Sequence, residues 1–202
     1  MRAHEIVEGP HDPYTYKAIF FAGSPGAGKT YVARKLAGVF GGLKQVNMDI
    51  IFKHLMTKNN LSWKMPPEEE PEREKQRQRS KELVTRQQQT YADGGLGLLI
   101  DSTGRSYDKI ENTKDQLESQ GYKTTMIFVN TDLQTALRRN KQRERTLPDE
   151  LIRKNFSAVE QQLGRFQRLF NDIHIINNSD STQETLPGQI EQVQKDISKF
   201  LQ

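Results

Sequence analysis

The chain contains no cysteine. That excludes disulfides, zinc–thiolate centres and thiol nucleophiles. Its four histidines show no metal-ligand spacing. The segment Met1–Glu8 lacks the long apolar core of a secretory leader, and no apolar run approaches a membrane span. A soluble, cytoplasmic protein with no membrane partner is therefore expected. Neither sign of charge dominates: 30 Lys+Arg face 26 Asp+Glu, a net charge of +4. This mild excess suits an anionic substrate without specifying one. Apolar residues make up only 34% of 202 residues, and the mean hydropathy is −0.81. Strong apolar strands nevertheless recur, so the polarity belongs to long Gln-, Lys- and Glu-rich helices rather than to disorder. The length is enough for one α/β core.

What is present is a phosphate loop. Gly23-Ser24-Pro25-Gly26-Ala27-Gly28-Lys29-Thr30 matches G-x-x-x-x-G-K-[ST]. The apolar run 17–22 before it reads as a buried strand, and 31–37 after it reads as a helix. Strand, loop and helix are the context the motif requires. Backbone N–H groups of such a loop converge on phosphate oxygens, and the helix adds its positive end. Lys29 is expected on the β- and γ-phosphates of ATP, and the Thr30 hydroxyl on Mg²⁺. Gly23, Ser24, Pro25, Gly26, Ala27, Gly28 and Tyr31 complete the nucleotide-binding candidates.

Four further strands are expected, at 44–48, 97–101, 123–129 and 172–177, with helices between them. That alternation implies a parallel sheet covered on both faces. Ligands then sit beyond the carboxyl ends of the strands. Between Thr57 and Asp93 a long polar helix interrupts the rhythm. Its prolines and acids lie at the start, and Gly94-Gly95 closes it. It is either a solvated face or a lobe over the phosphate acceptor.

Asp49 follows the second strand. It is a candidate general base for an attacking hydroxyl, a candidate to orient water on Mg²⁺, or the N-cap of the next helix. Asp101 ends the third strand before Ser102-Thr103-Gly104-Arg105. A carboxylate there suits a metal or an acceptor, and Thr103 and Arg105 suit polar or anionic groups. Arg139, Arg143 and Arg145 belong to a basic run and are candidates to stabilise a transferring phosphoryl group. Asn178 follows the last strand, where a loop reaches a nucleotide base or simply turns. Trp63 and Met65 line an acceptor pocket or pack in the core.

Together these residues resemble the zeta-toxin and polynucleotide-kinase branch of P-loop kinases. The resemblance rests on residues 23–30, on Asn47-Met48-Asp49 with Phe52-Lys53, and on Ile100-Asp101-Ser102-Thr103-Gly104-Arg105. The arrangement is similar to phage-encoded predicted kinases. The resemblance implies a three-layer α/β fold with a five-stranded parallel sheet in the order 2-3-1-4-5. The chain is expected to be a single kinase domain over 1–202, with a substrate-side helical insertion at 57–95 and an arginine-rich lid at 138–148. Asp49 becomes the general base and the 139–145 arginines the γ-phosphate clamp. Asp49, Lys53, Asp101, Thr103 and Arg105 become the acceptor set, and Thr30, Asp49 and Asp101 the metal set. Asp101 stands where the zeta toxins have glutamate, and Ser102 where they have glycine, at positions that contact an amino-sugar nucleotide.

The expected activity is Mg²⁺-ATP-dependent transfer of the γ-phosphate to a hydroxyl. The leading acceptor is a nucleic-acid 5′-hydroxyl or base hydroxymethyl, followed by a nucleotide-sugar, then a nucleoside or nucleotide. A nucleotide-binding regulatory ATPase is the reading from another class.

Overall fold

The computed structural model describes residues 13–64, 66–142 and 146–202. Five strands form one parallel sheet: β1 (Lys17–Gly23), β2 (Lys44–Val46), β3 (Leu98–Asp101), β4 (Lys123–Asn130) and β5 (Ile173–Asn177). Their order is β2-β3-β1-β4-β5, so the expected topology holds. β1 sits at the centre, with Phe20 opposite Ile100 on one side and opposite Met126 on the other.

The period-two alternation of the strands sorts their side chains into two cores. Ala18, Phe20, Met126 and Phe128 face one way. They meet Val84 of α4 (Glu70–Asp93), Ile110 and Leu117 of α5 (Tyr107–Ser119), and Val159 and Phe166 of α7 (Asp149–Leu169). Ile19, Phe21, Ile127 and Val129 face the other way. They meet Val32 of α1 (Lys29–Lys35), Val39 of α2 (Ala37–Phe40), and Ile190, Val193 and Ile197 of α8 (Leu186–Leu201). Both faces of the sheet are thus dry, which is why β1 and β4 read as nearly continuous apolar runs.

Two more helices bring polar groups to the carboxyl edge of the sheet. They are α3 (Met48–Lys58) and α6 (Leu133–Lys141). Asn47 caps α3: its side-chain oxygen accepts from the N–H groups of Asp49 at 2.8 Å and Ile50 at 3.3 Å. The cap is therefore Asn47 and not Asp49. The helix starts before the point read from the sequence, and β2 ends at Val46 rather than Met48. Among the described residues no helix is long and apolar enough to cross a membrane.

Candidate active site

The phosphate loop joins β1 to α1. Gly26 and Gly28 both adopt left-handed backbone, with φ of 81° and 80°, a region that strains any side chain. A Cβ on Gly26 would also lie 2.9 Å from the Ala136 backbone, and one on Gly28 2.3 Å from the Asn178 amide. The glycines thus let the loop turn and let α6 and the end of β5 close against it.

Asn178 is 3% exposed. Its amide donates to the Ala27 carbonyl at 2.7 Å. Its oxygen accepts from Gln183 at 3.1 Å and from Arg139 at 3.4 Å. Both ends of the side chain are engaged, so Asn178 braces the loop from behind and is neither a free base contact nor an ordinary turn. Arg139 also reaches the Gly26 carbonyl at 3.4 Å and the Asp180 carboxylate at 3.4 Å. This arginine of the basic run therefore lies against the phosphate loop. Arg143 and Arg145, the other two candidates of that run, lie outside the described residues, as does Met65.

On the other side of the loop, Lys29 Nζ donates to Asp101 Oδ1 and, at 2.9 Å, to the Ser102 carbonyl. Asp101 Oδ2 accepts from Asn47 Nδ2 at 2.7 Å. Register sets this meeting. β3 lies between β1 and β2 in the sheet, so its last residue sits between the loop after β1 and the start of α3. Thr30 and Tyr31 follow on the exposed first turn of α1.

A cavity of about 500 Å³ opens beside Lys29. Asp49, Asp101, Thr103 and Arg105, four of the five acceptor candidates, line it. Lys53 does not; its ammonium lies 5.9 Å from the centroid of the Trp63 ring. Phe52 is the ring next to Trp63, at 6.4 Å, so this tryptophan belongs to an aromatic pair and not to the cavity wall. The far wall comes from α4 (Lys81, Val84, Thr85, Gln88) and α5 (Lys109, Ile110, Thr113, Gln116).

The long polar helix therefore covers this cavity, but with a different set of residues from its arginines. Arg73 donates to the Pro66 carbonyl at 3.0 Å. Arg77 pairs with Glu74 at 3.2 Å and stacks 5.0 Å from the Phe52 centroid. Arg79 pairs with Glu82 at 3.4 Å. Only Lys81 of the basic residues between Arg73 and Arg86 reaches the cavity. Lys81 and Lys109 have no acidic partner among the described residues. Arg105 turns partly away and donates to Asn155 of α7 at 2.9 Å.

Two hydroxyls at this edge are buried without a hydrogen-bond partner among the described residues, Ser24 Oγ in the phosphate loop and Ser102 Oγ after β3. Buried polar groups are normally satisfied, and of the two Ser102 lines the cavity. No group of three or more His, Cys, Asp or Glu able to hold a metal occurs among the described residues. The local donors are instead single hydroxyls and carboxylates. That set suits an ion such as Mg²⁺, which keeps several waters and shares substrate phosphates.

Sequence reasoning missed Asn47 as cap and as partner of Asp101, and it missed Lys81 and Lys109. Asn47 carried a usable signal, an N-cap residue type just before an apolar helix. The lysines carried none.

Fold and loop together define an ATP-binding P-loop kinase architecture. The chain belongs to the Zeta toxin family, whose model matches residues 6–185. This is a family of kinases, phosphotransferases with hydroxyl acceptors. No curated protein sequence matches the chain. Solved structures match in fold. The PezAT toxin–antitoxin system of Streptococcus pneumoniae is 16% identical, with a TM-score of 0.55, over 96% of this chain and 89% of that one. AvrRxo1-ORF1 with AvrRxo1-ORF2 and ATP is 17% identical, with a TM-score of 0.62, over 80% of this chain and 54% of that one. Shikimate kinase of Acinetobacter baumannii with shikimate is 15% identical, with a TM-score of 0.52, over 89% of this chain and 93% of that one.

Proposed function

We propose that this kinase moves the γ-phosphate of ATP to a hydroxyl of an anionic acceptor about the size of one nucleotide. The observation that carries the reading is the cavity of about 500 Å³ with Lys29, Asp49 and Asp101 at one end and Lys81 and Lys109 on its wall. A hydroxyl belongs at the carboxylate end. A negative group belongs beside the lysines, for which no acid competes among the described residues. A cavity of this size takes a nucleotide-sugar, a nucleotide, or the terminal residue of a strand. A long polyanion track is not favoured, because Arg73, Arg77 and Arg79 are engaged within or beside their own helix.

In this reading Asp49 accepts the acceptor's hydroxyl proton as the new O–P bond forms and the bond to the ADP oxygen breaks. Lys29 leaves Asp101 for the β- and γ-phosphates, and Arg139 offsets charge on the moving group. Arg143 and Arg145 are further candidates for that task. Ser24 and the loop N–H groups hold the donor. Mg²⁺ would be held by Thr30 and Asp101, and when bound it neutralises phosphate charge. Asn178 positions the loop. Thr103 and Arg105 orient the acceptor. Residues 57–95 act as the acceptor-side lobe of one kinase domain, and 138–148 as its arginine segment.

The test is transfer of label from γ-labelled ATP to a panel of nucleotide-sugars, nucleotides, neutral nucleosides and 5′-hydroxyl oligonucleotides. The wild type is compared with Asp49→Asn at two salt concentrations. Labelling of nucleotide-sized anions, lowered about a hundredfold to ten-thousandfold by Asp49→Asn, is the expected result. Labelling confined to oligonucleotides, with KM rising steeply with salt, overturns the acceptor assignment. Full transfer by Asp49→Asn overturns the role of Asp49.

A further inference from the structure

Asn47 uses its amide at both ends. The oxygen accepts from the N–H groups of Asp49 at 2.8 Å and Ile50 at 3.3 Å. The nitrogen donates to Asp101 Oδ2 at 2.7 Å. A helix cap needs only an acceptor, and serine, threonine or aspartate would serve as well. The donating half has no part in capping. It is aimed at a carboxylate whose other oxygen accepts from Lys29.

An unbroken chain of hydrogen bonds thus runs from the Lys29 ammonium through Asp101 and Asn47 to the backbone N–H of Asp49. It ties the loop after β1, the end of β3 and the start of α3 to one another. Both carboxylates that face the cavity, Asp49 and Asp101, are placed by the same amide.

We propose that Asn47 is a positioning residue for phosphoryl transfer: it fixes the first turn of α3, and with it Asp49, against Asp101 and Lys29. The proposal rests on the reading of Asp49 as general base. Asn47 borders the cavity, but both ends of its amide are committed, to Asp101 and to the α3 backbone. Its role is to keep the Asp49 carboxylate in line with the phosphate loop, where a shift near 1 Å can cost roughly a hundredfold in rate.

The experiment follows ADP formation with water as the acceptor, together with KM for ATP and the melting temperature. Wild type is compared with Asn47→Ser, Asn47→Asp, Asp49→Asn and the double variant Asn47→Ser/Asp49→Asn. Aspartate keeps a capping oxygen and has no donor, and serine keeps one but carries its only hydrogen on the capping atom itself, a bond short of the Asn47 Nδ2 position, so a variant that melts like the wild type separates positioning from folding.

The expected result is a kcat roughly 10- to 100-fold lower in both Asn47 variants. KM for ATP in Asn47→Ser stays within about twofold. The double variant is no slower than Asp49→Asn alone, because Asn47 acts through Asp49. Wild-type kcat in a folded Asn47→Ser or Asn47→Asp, with Asp49→Asn impaired, overturns the proposal and leaves Asn47 as a cap. A further loss in the double variant also overturns it, since Asn47 would then act independently of Asp49. Wild-type kcat in Asp49→Asn instead removes the general-base reading itself.

Discussion

Replacing Asp101 by asparagine should tighten the binding of metal-free ATP. Lys29 has two acceptors in the structure, Asp101 and the Ser102 carbonyl. To meet phosphates it must give up the carboxylate. The two side chains are 23% and 20% exposed, so the pair is shielded more than a surface ion pair, worth about 0–1 kcal/mol. A charged hydrogen bond contributes about 1.5–3 kcal/mol. With water still reaching both groups, the low end of that range is the reasonable value. The change removes a competitor worth about 1.5 kcal/mol, close to a tenfold fall in Kd. The substituted amide still offers an oxygen to Asn47, so the contact to α3 is kept. The assay is calorimetry with ATP in EDTA, where any loss of a metal ligand cannot contribute. In excess Mg²⁺ the sign should reverse and turnover should fall. An unchanged or higher Kd in EDTA would refute the idea that Asp101 holds Lys29 against the nucleotide.

Lys29→Ala should abolish phosphoryl transfer while circular dichroism and melting stay close to wild type. Gly28→Ala places a side chain at φ 80° and 2.3 Å from the Asn178 amide. The left-handed strain alone costs about 1–2 kcal/mol, so a melting point lower by at least about 2–4 °C is expected, with weaker ATP binding by titration. Asp132 accepts from the Thr135 N–H at 2.7 Å as the cap of α6. Asp132→Ala should cost about 1 kcal/mol in a denaturant melt at pH 7. Burial opposes its charge, but the Thr135 and Ser179 hydrogen bonds outweigh it and hold the Asp132 carboxyl below its usual range. The wild type's advantage should therefore be complete above about pH 4 and fade as the pH falls through the lowered value. Glu160 is the opposite case. Burial raises its carboxyl, and Oε1 is buried without a partner among the described residues. The protein is least stable where Glu160 is forced to ionise, so Glu160→Gln should raise the melting temperature at about pH 7–8. The gain should vanish below about pH 4, where the folded and unfolded carboxyls are both protonated; a gain that persists there would contradict the burial argument.

The strands were legible because both faces of the sheet are buried. Phe20-Phe21 and Ile127-Phe128 leave no polar gap for a helix-like period. The phosphate loop was legible because its glycines answer a local backbone demand. Asp101 could be found because it is the acid at the end of such a run. Asp49 was harder. Asn47 and Asp49 are both good caps two residues apart, and spacing alone does not choose between them. The choice is made by Asp101, fifty-four residues away, which takes the Asn47 amide. The acceptor wall was not legible for a related reason. α4 has too few apolar residues to mark its inner face, so which of its many cations reaches the cavity depends on local partners such as Glu74, Glu82 and Pro66. Asn178 likewise looked like a turn residue until β5 brought it behind Ala27.

That last contact joins residues 151 positions apart. The backbone of the nucleotide motif is thus held by a side chain synthesised long after it. A nascent chain that has emerged through β4 carries the complete phosphate-loop sequence without the brace behind it. Competence to grip ATP should then arrive late and abruptly, when β5 docks beside β4 and Asn178 closes on Ala27. Nucleotide binding should then report that β5 has docked, and a fragment ending before residue 178 should be silent in that report however intact its motif.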